Sequence, residues 1–362
     1  MKKVLTMIVL LLLTIALVLS ACKPATPDQT EGPDKTEASK PDVSDPDASQ
    51  ADPPKDFKIA IVLPGPITDI GFSGPAYEGV KRFGEEYNVP VAYRDLAEPA
   101  DYDTIFRGYA EEGYNLIIGH GNQFFETASQ IAEEYPDLKF AVTSAPKGNG
   151  TNLASLRPSS QDVGFLVGAL CGMMTKNNKI AMVSGSEIPP LIAVLNGTIV
   201  GAKYVNPDAE VVNVYTGNVD AAKVKEAALA LLDAGCDILS QTADKGSIGA
   251  ITACQERGIY NVATSADFAP QAPDTVLSSV MVLNDIATYT AAKMVYEGTF
   301  EGIVYPFGIR EDAVVMTGYG QLEDKIPQEV KDKMAKLIKD IKDGVISTED
   351  LYEEYKEYYE NK

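Results

Sequence analysis

The chain has no tryptophan and only one histidine, His120, among its 362 residues. It has four cysteines, Cys22, Cys171, Cys236 and Cys254, and none of them has the spacing of a zinc-ligand pair. No second histidine, cysteine pair or nucleophile-elbow serine accompanies His120, so the residue sets of metal catalysis and of Ser-His hydrolysis are missing. We therefore expect no metal, no cofactor and no enzymatic activity.

The three cysteines beyond Cys22 lie in apolar or small-residue runs, which is typical of buried cysteines. If Cys22 carries a lipid, an odd number of three remains, so at least one of them has no intramolecular disulfide partner. Cys236 and Cys254 can pair in an oxidising compartment, and the sequence leaves both options open.

Positively charged residues are also scarce. The chain has 31 Lys and Arg against 52 Asp and Glu, which gives a formal net charge of −21. Nucleic acid and anionic membrane surfaces would be repelled by such a chain, so neither is an expected partner. Solubility is the simplest consequence of the same charge.

The longest apolar run, residues 4–18, is too short for a convincing membrane span. Lys2 and Lys3 precede it and the sequence LSAC (residues 19–22) follows it, which is the order of an export signal and its cleavage region. These four residues resemble a bacterial lipobox, whose cysteine becomes the lipidated first residue of the mature chain. Residues 1–22 are therefore predicted to be a lipoprotein signal peptide with Cys22 as the lipidation site. An ordinary secretory signal or an uncleaved anchor is the alternative.

Residues 23–56 contain almost nothing that a folded core could bury, and Val43 is their only large aliphatic side chain. They are predicted to be a disordered, acidic and proline-rich tether, because they cannot offset the entropy of ordering the chain. A flexible tether of this length would hold the next domain about 30–40 Å from a membrane. The folded part is thus expected at the extracytoplasmic face of the cell membrane, held there by a lipid anchor.

From about residue 57 onward, short aliphatic runs alternate with amphipathic segments. This alternation predicts an α/β fold with parallel sheets that helices cover on both faces. Breaks at 144–159 and 270–279 divide the pattern into two doubly wound parallel-sheet lobes joined by crossover hinge segments. The predicted limits are 57–155 plus 285–302 for lobe 1 and 156–284 plus 303–362 for lobe 2. Such a clamshell places a ligand cleft between the two sets of strand ends.

The first unit of this pattern, residues 57–86, contains the most informative loop. A buried-strand run ends at Pro64-Gly65-Pro66, and helical spacing begins about ten residues later. The loop holds Asp69 and Phe72, a hydrogen-bond acceptor and an aromatic face three residues apart. We interpret them as part of a site for a flat polar molecule. In the structural alternative, Asp69 caps the helix and Phe72 lies in the core.

Three later loops offer further polar groups. Residues 119–124 follow an apolar strand and place the amide of Asn122 among glycines that allow close approach of the backbone. Asp267 ends a strand of the second lobe, and Asp244 has a similar but weaker setting. For both acids, a helix cap or a turn is the alternative role.

Eight ordered segments together resemble the basic membrane lipoprotein family, the substrate-binding lipoproteins of ABC importers that include the purine nucleoside receptors. They are PGPITDIGFSGPAYEG at Pro64, GHGNQF at Gly119, YPDLKF at Tyr135, LVGALCGMMTKNNKIAMVSG at Leu166, NGTIVGAKYVNPD at Asn196, YTGNVDAAK at Tyr215, ALLDAGCDIL at Ala230 and TSAD at Thr264. The resemblance implies a monomer with the type I periplasmic-binding-protein fold. It also implies that the protein binds a small molecule, a purine base or nucleoside, and delivers it to the permease and ATPase subunits. The ligand is not chemically changed in this process.

The resemblance also implies roles for single residues. Asp69 and Phe72 match the acid and the aromatic of a D-x-x-F/W-N loop, in which Ser73 replaces the usual asparagine. Asp267 matches an S-x-D pattern, Phe124 or Phe125 would supply a second aromatic, and Asn196 would lie at the cleft mouth. With the residues above, the expected ligand-binding set is Asp69, Phe72, Ser73, Asn122, Phe124, Asn196, Asp244 and Asp267.

Two departures from the family pattern bear on the ligand. Val219 replaces the phenylalanine of the nucleoside receptors, and residues 277–282 lack a lysine that the family usually has. A base would be held less firmly without the second aromatic, and a sugar hydroxyl would lose a donor without the lysine. A free base or another small polar compound is thus favoured over a nucleoside. The alternative function is a surface lipoprotein receptor of the same fold that binds a sugar or a flavin-like ligand in signalling or adhesion.

Overall fold

The computed structural model describes residues 56–69, 71–217 and 219–360. The signal peptide with Cys22 and the tether up to residue 55 lie outside the described residues and stay predictions. Within the described residues, no helix is both long and apolar enough to cross a bilayer.

Two six-stranded sheets form two α/β lobes, which confirms the predicted fold class. The strands are β1 (Ile59–Val62), β2 (Val91–Arg94), β3 (Leu116–Gly119), β4 (Lys139–Thr143), β5 (Leu153–Pro158), β6 (Lys179–Ser184), β7 (Glu210–Tyr215), β8 (Ile238–Thr242), β9 (Tyr260–Thr264), β10 (Val276–Val282), β11 (Val304–Phe307) and β12 (Val314–Met316). The helices are α1 (Ser73–Tyr87), α2 (Tyr102–Glu111), α3 (Phe125–Glu134), α4 (Ser160–Met174), α5 (Pro189–Val205), α6 (Ala221–Asp233), α7 (Ser247–Arg257), α8 (Asn284–Tyr296), α9 (Gln328–Lys342) and α10 (Thr348–Glu354).

The strand order is β11-β5-β4-β3-β1-β2 in the first sheet and β12-β10-β9-β8-β6-β7 in the second. The described pairs are parallel, except that β12 runs antiparallel to β10 at the edge of the second sheet. In each sheet the winding direction reverses once, beside β1 in the first and beside β6 in the second. Ligands of open α/β sheets bind beyond the carboxyl ends of the strands at such a reversal. The loops at this end of each sheet are therefore where a site is expected.

Strand β1 shows why the aliphatic runs become central strands. Its side chains are buried on both faces of the sheet. Ile59 and Ile61 pack with α1 and α8 on one face, and Ala60 and Val62 pack with α2 and α3 on the other. A parallel strand with helices on both sides has no solvent-facing position, so it is apolar throughout. The second sheet has corresponding apolar clusters on its two faces.

The lobes are joined by three crossover segments, which lie between β5 and α4, between β10 and α8, and between β11 and β12. Strand β5 continues to Pro158, and β11 pairs with it in the first sheet, so both belong to lobe 1. The crossovers thus lie a few residues beyond the predicted limits at 155 and 302, because hydrogen-bonded neighbours rather than local composition decide which sheet a strand joins. A carboxylate oxygen of Asp162 accepts a hydrogen bond from the Ile309 N–H at 3.0 Å and so links the first turn of α4 to the crossover between β11 and β12.

The described cysteines Cys171, Cys236 and Cys254 are all buried and free, so the alternative Cys236–Cys254 disulfide does not form in this structure. Cys236 and Cys254 pack in the apolar cluster between the second sheet and its helices. Burial raises the pKa of Cys254 to about 12, which keeps it a neutral thiol.

Candidate functional site

A cavity of about 700 Å³ lies between the two lobes. Its lining residues are Asp69, Gly71, Phe72, Ser144, Pro158, Val219, Asp244, Lys245, Ser265, Ala266, Phe268, Val282 and Asn284. Each of them lies at or just after the carboxyl end of a strand, which is the position that the sheet topology favours for a ligand. The volume is also in the range of small-molecule sites.

Asp69 organises the first loop of the cavity. Its Oδ1 accepts a hydrogen bond from the Gly71 N–H at 3.1 Å, and its Oδ2 accepts from the N–H groups of Phe72 at 2.9 Å and Ser73 at 2.8 Å. Partial burial alone would raise the pKa of Asp69, but these hydrogen bonds outweigh it and lower the pKa below its usual value. Asp69 therefore holds the start of α1, as the structural alternative expects, and also presents an ionised carboxylate to the cavity.

Phe72 is 40% exposed and lines the cavity, so it is not a core residue. One side of its ring contacts the imidazole of His120, with 4.0 Å between the ring centroids and 38° between the planes. The other side remains available to a flat ligand. An aromatic face of this kind supplies a large contact area for a heterocycle.

His120 is completely buried beside Phe72. Its Nδ1 lies 3.1 Å from Thr143 Oγ1, and its Nε2 has no hydrogen-bond partner of good geometry among the described residues. Burial lowers the pKa of His120 to about 4, against the opposing effects of the Phe72 backbone and the charge on Asp69. The imidazole is therefore neutral at physiological pH.

Three polar lining residues have a left-handed backbone conformation that is uncommon outside glycine. Ser144, Asp244 and Ser265 have φ angles of 59°, 45° and 72°. Such a conformation costs on the order of 1–3 kcal/mol per residue and is found most often where function requires it. Its occurrence at three positions of one cavity supports the assignment of this cavity as the functional site.

Asp69, Phe72 and Asp244 are the expected site residues that line the cavity, whereas Ser73, Asn122 and Phe124 lie elsewhere. The Ser73 side chain is buried and its Oγ accepts a hydrogen bond from the Gly65 N–H at 3.2 Å. Asn122 is exposed at the start of a short 3₁₀ turn. The prediction for Phe124 is corrected, because Phe124 is a core residue. Its ring is fully buried, and its centroid lies 4.4 Å from the centroid of the Tyr102 ring.

Asn196 and Asp267 line two other hollows. Asn196, on α5, shares a groove with Glu187 and other residues of lobe 2. Asp267 Oδ1 accepts hydrogen bonds from the Ala269 N–H and from Ser279 Oγ, both at 3.1 Å. Its carboxylate therefore has the turn-forming role that was the alternative in the sequence, and its neighbours, not Asp267 itself, line the cavity.

The sequence did not predict Lys245, Phe268 and Asn284 as lining residues. Lys245 follows Asp244 directly and forms no ion pair with any described residue. Phe268 is adjacent to Asp267, so the S-x-D match was one residue away from the aromatic that reaches the cavity. Asn284 is the first residue of α8 and only 6% exposed, and nothing in its local sequence distinguishes it from a helix-start asparagine.

The lining can bind a small molecule but has no catalytic set. Its lining residues include the acids Asp69 and Asp244, the base Lys245 and the aromatics Phe72 and Phe268. No cysteine or histidine lines the cavity, and the described residues include no cluster of His, Cys, Asp or Glu that could hold a metal ion. Stacking and hydrogen bonding of a planar polar molecule are the interactions that this arrangement offers.

Two parallel-sheet α/β lobes with a cavity between their strand ends define a solute-binding protein of the type I periplasmic fold. A family model described as "Bmp: ABC transporter substrate-binding protein PnrA-like" matches residues 57–351. The chain belongs to this family, which confirms the resemblance seen in its motifs. It is therefore a non-enzymatic solute-binding protein of ABC transporters, a class that works outside the cytoplasm in association with the membrane.

The chain is also similar to individual proteins. The chain is 28% identical over 287 residues to transcriptional activator protein med of Bacillus subtilis, covering 78% of this chain and 87% of that protein. It is 25% identical over 285 residues to a purine-binding protein of Brucella abortus, covering 78% of this chain and 81% of that protein. Among solved structures, an ABC transporter solute-binding protein from Conexibacter woesei aligns with a TM-score of 0.67 at 23% identity, over 80% of this chain and 98% of that one, and shows the shared fold.

Proposed function

We propose that the protein binds a purine base or nucleoside in the interlobe cavity and delivers it to the permease of an ABC importer. The observation that carries this proposal is one loop that presents both the exposed ring of Phe72 and the ionised carboxylate of Asp69 to the cavity. The similarity to a purine-binding protein of Brucella abortus supports the same ligand class.

Asp69 can accept a further hydrogen bond. A carboxylate offers about four lone-pair sites, and backbone N–H groups of Gly71, Phe72 and Ser73 use three of them. An exocyclic amine or a ring N–H of a purine can donate to the remaining site while the purine ring stacks on Phe72. Because three backbone donors already fix the carboxylate, little conformational freedom is lost on binding.

Lys245 bears on the choice between base and nucleoside. Residues 277–282 lack the family's usual lysine, but the ammonium group of Lys245 supplies a donor to the cavity from the loop after β8. A ribose hydroxyl can accept from this donor, so the cavity is compatible with a nucleoside as well as with a free base.

The proposal is tested by titration calorimetry of the purified full chain with adenine, guanine, hypoxanthine, adenosine and guanosine. Phe72→Ala should lower the affinity for the bound purine about 10- to 100-fold, because stacking on an aromatic side chain contributes roughly 1–3 kcal/mol. Tyr358→Ala is the matched control, since Tyr358 is similarly exposed at 37% and does not line the cavity. Equal affinities of the wild type and Phe72→Ala would refute the assignment of this site.

A receptor for signalling is the second candidate function, and the similarity to a protein named transcriptional activator med favours it. Uptake of a radiolabelled purine distinguishes the two functions. It is measured in a strain from which the gene is deleted, and in the same strain carrying either the wild-type gene or the Phe72→Ala variant. Uptake that depends on the wild-type gene supports transport. Unchanged uptake in the deletion strain, together with purine binding by the purified protein, supports the receptor.

We also propose that the mature protein is a lipid-anchored monomer. Growth with a radiolabelled fatty acid should label the wild type and leave Cys22→Ser unlabelled, because Cys22 is the lipobox cysteine. Cys254→Ser is the control, since the buried Cys254 thiol should make no contribution to labelling. Label retained by Cys22→Ser would contradict the anchor, and a dimer mass by light scattering would contradict the monomer.

A further inference from the structure

Phe72 has only one ring face to offer a ligand. His120 covers the other face, with the two ring centroids 4.0 Å apart, and Phe72 is nevertheless 40% exposed at the cavity. A planar molecule that stacks on the free face therefore leaves its own second face open toward lobe 2. Val219, which lines the lobe 2 side, has no aromatic ring to cover that face.

Phe268 is an aromatic ring on the lobe 2 side of the same cavity. Its side chain is half-buried against an apolar cluster that includes Ile251 and Val276, so the ring is supported on the side away from the cavity. The backbone around it is also held, because the Phe268 N–H donates to Ser279 Oγ at 3.2 Å and its carbonyl accepts from the Ala272 N–H at 3.1 Å. A ring fixed in this way loses little entropy when a ligand stacks on it.

Asp267 positions this loop through Ser279. The Ser279 hydroxyl accepts from the Phe268 N–H and donates to Asp267 Oδ1 at 3.1 Å. Asp267 Oδ1 also accepts from the Ala269 N–H. The acid next to the aromatic thus fixes the backbone on both sides of Phe268 without lining the cavity itself.

Asn284 adds a polar group at the crossover between the lobes. It is the first residue of α8, lines the cavity and is only 6% exposed. Its side-chain nitrogen and oxygen are not among the fully buried, unpaired polar atoms of the described residues. An asparagine amide has both a donor and an acceptor, so at the cavity wall it can pair with a neighbouring acceptor and donor of a ligand.

We infer that Phe72 and Phe268 hold a planar heteroaromatic ligand between them, one ring from each lobe, and that the Asn284 amide pairs with a neighbouring donor and acceptor on the ligand's edge. This inference depends on the proposal that the interlobe cavity is the ligand site. It assigns the second aromatic contact to a different loop from the one that carries Val219. It also links ligand binding to lobe closure, since the two rings belong to opposite lobes and Asn284 lies at a crossover.

The ligand class follows from these groups. An asparagine amide pairs in a bidentate manner with an amine next to a ring nitrogen, as in adenine, but loses one hydrogen bond to unsubstituted purine. Adenine and purine are thus a matched pair of probes for Asn284. Lumichrome is a planar probe without a purine ring, and glucose is a non-planar one.

The experiment is calorimetry of the full chain with these four compounds for the wild type, Phe72→Ala, Phe268→Leu, Phe268→Tyr and Asn284→Ala. Phe268→Leu keeps the apolar packing but removes the aromatic face, and should lower affinity for the planar probes about tenfold. Phe268→Tyr retains the ring and should bind nearly as well as the wild type. Asn284→Ala should remove the preference for adenine over purine, which loss of stability alone would not do. Melting temperatures of all variants identify any that fail to fold.

The positioning role of Asp267 is measured in a double-mutant cycle. Asp267→Ala should weaken adenine binding in the wild type, but should cause almost no further loss in the Phe268→Leu background, because it acts through the ring that this variant lacks. Additive losses would show that Asp267 does not act through Phe268.

The outcomes separate this inference from the proposed function. If Phe72→Ala binds adenine as well as the wild type, the proposed site itself is refuted. If Phe72→Ala weakens binding while Phe268→Leu and Asn284→Ala do not, the site stands and the inference is overturned. Binding of glucose without binding of any planar probe also overturns it.

Discussion

Lowering the pH from 6.5 to about 4 is expected to reduce the free energy of unfolding by about 3 kcal/mol through His120 alone. Burial holds the folded-state pKa of His120 at about 4, whereas the ordinary value in an unfolded chain is 6.5. Between these values the unfolded state binds more protons than the folded state. The stabilisation is therefore fully present above pH 6.5 and is lost as the pH falls through this range.

The measurement is urea unfolding of the wild type and of His120→Gln at both ends of that pH range. Glutamine does not titrate and keeps a polar group near Thr143, so the variant should lose much less stability on acidification than the wild type. The comparison isolates His120, because Asp69 and Asp162 titrate in both proteins, with a pKa lowered for the first and raised by burial for the second. The same pH dependence in both proteins would show that the imidazole is not the cause.

Gly168→Ala is expected to lower the free energy of unfolding by about 3 kcal/mol. Gly168 lies on α4 where it packs against α5, and a methyl group there would overlap the Thr198 carbonyl oxygen and lie 2.8 Å from the Ala202 nitrogen. These are backbone atoms of a helix, so they cannot rotate away as a side chain can. The two helices must separate, which loosens the apolar packing of the second lobe.

Gly108→Ala is the control for this substitution. Gly108 is within α2, and a methyl group there would have no atom within 4 Å. Alanine should therefore raise the free energy of unfolding by up to about 1 kcal/mol, because glycine loses more backbone entropy in a helix. Urea unfolding of both variants gives the two changes. A similar small effect of both would contradict the close helix contact at Gly168.

Much of the fold was predictable because it depends on local patterns. Residues 59–62 are aliphatic at every position, as a strand covered on both faces must be, and Ala76, Val80 and Phe83 bury one side of α1 at helical spacing. The exact points where the chain crosses between lobes were less predictable. The membership of β11 is decided by its pairing with β5, which is distant in sequence.

The candidate site was predictable in part. Asp69, Phe72 and Asp244 were predicted because an acid or an aromatic in the loop after an aliphatic strand lies at the ligand end of a parallel sheet, and all three line the cavity. Phe124 follows a strand in the same way, but an aromatic in a glycine-rich turn can face either the core or the cavity. In the structure the Phe124 ring packs against Tyr102 and therefore lies in the core.

The amino-acid sequence by itself determined the α/β architecture, the solute-binding class and three candidate residues of the cavity, Asp69, Phe72 and Asp244, because strand runs, helix spacing and family motifs are all contained in short segments. Only the tertiary structure decided the rest of the lining. It placed Phe268 in the cavity and gave Asp267 a supporting role, and it placed Asn284 beside them at a crossover. These residues come together because the order of strands within each sheet differs from their order in the chain, and no local pattern specifies which strand ends become neighbours.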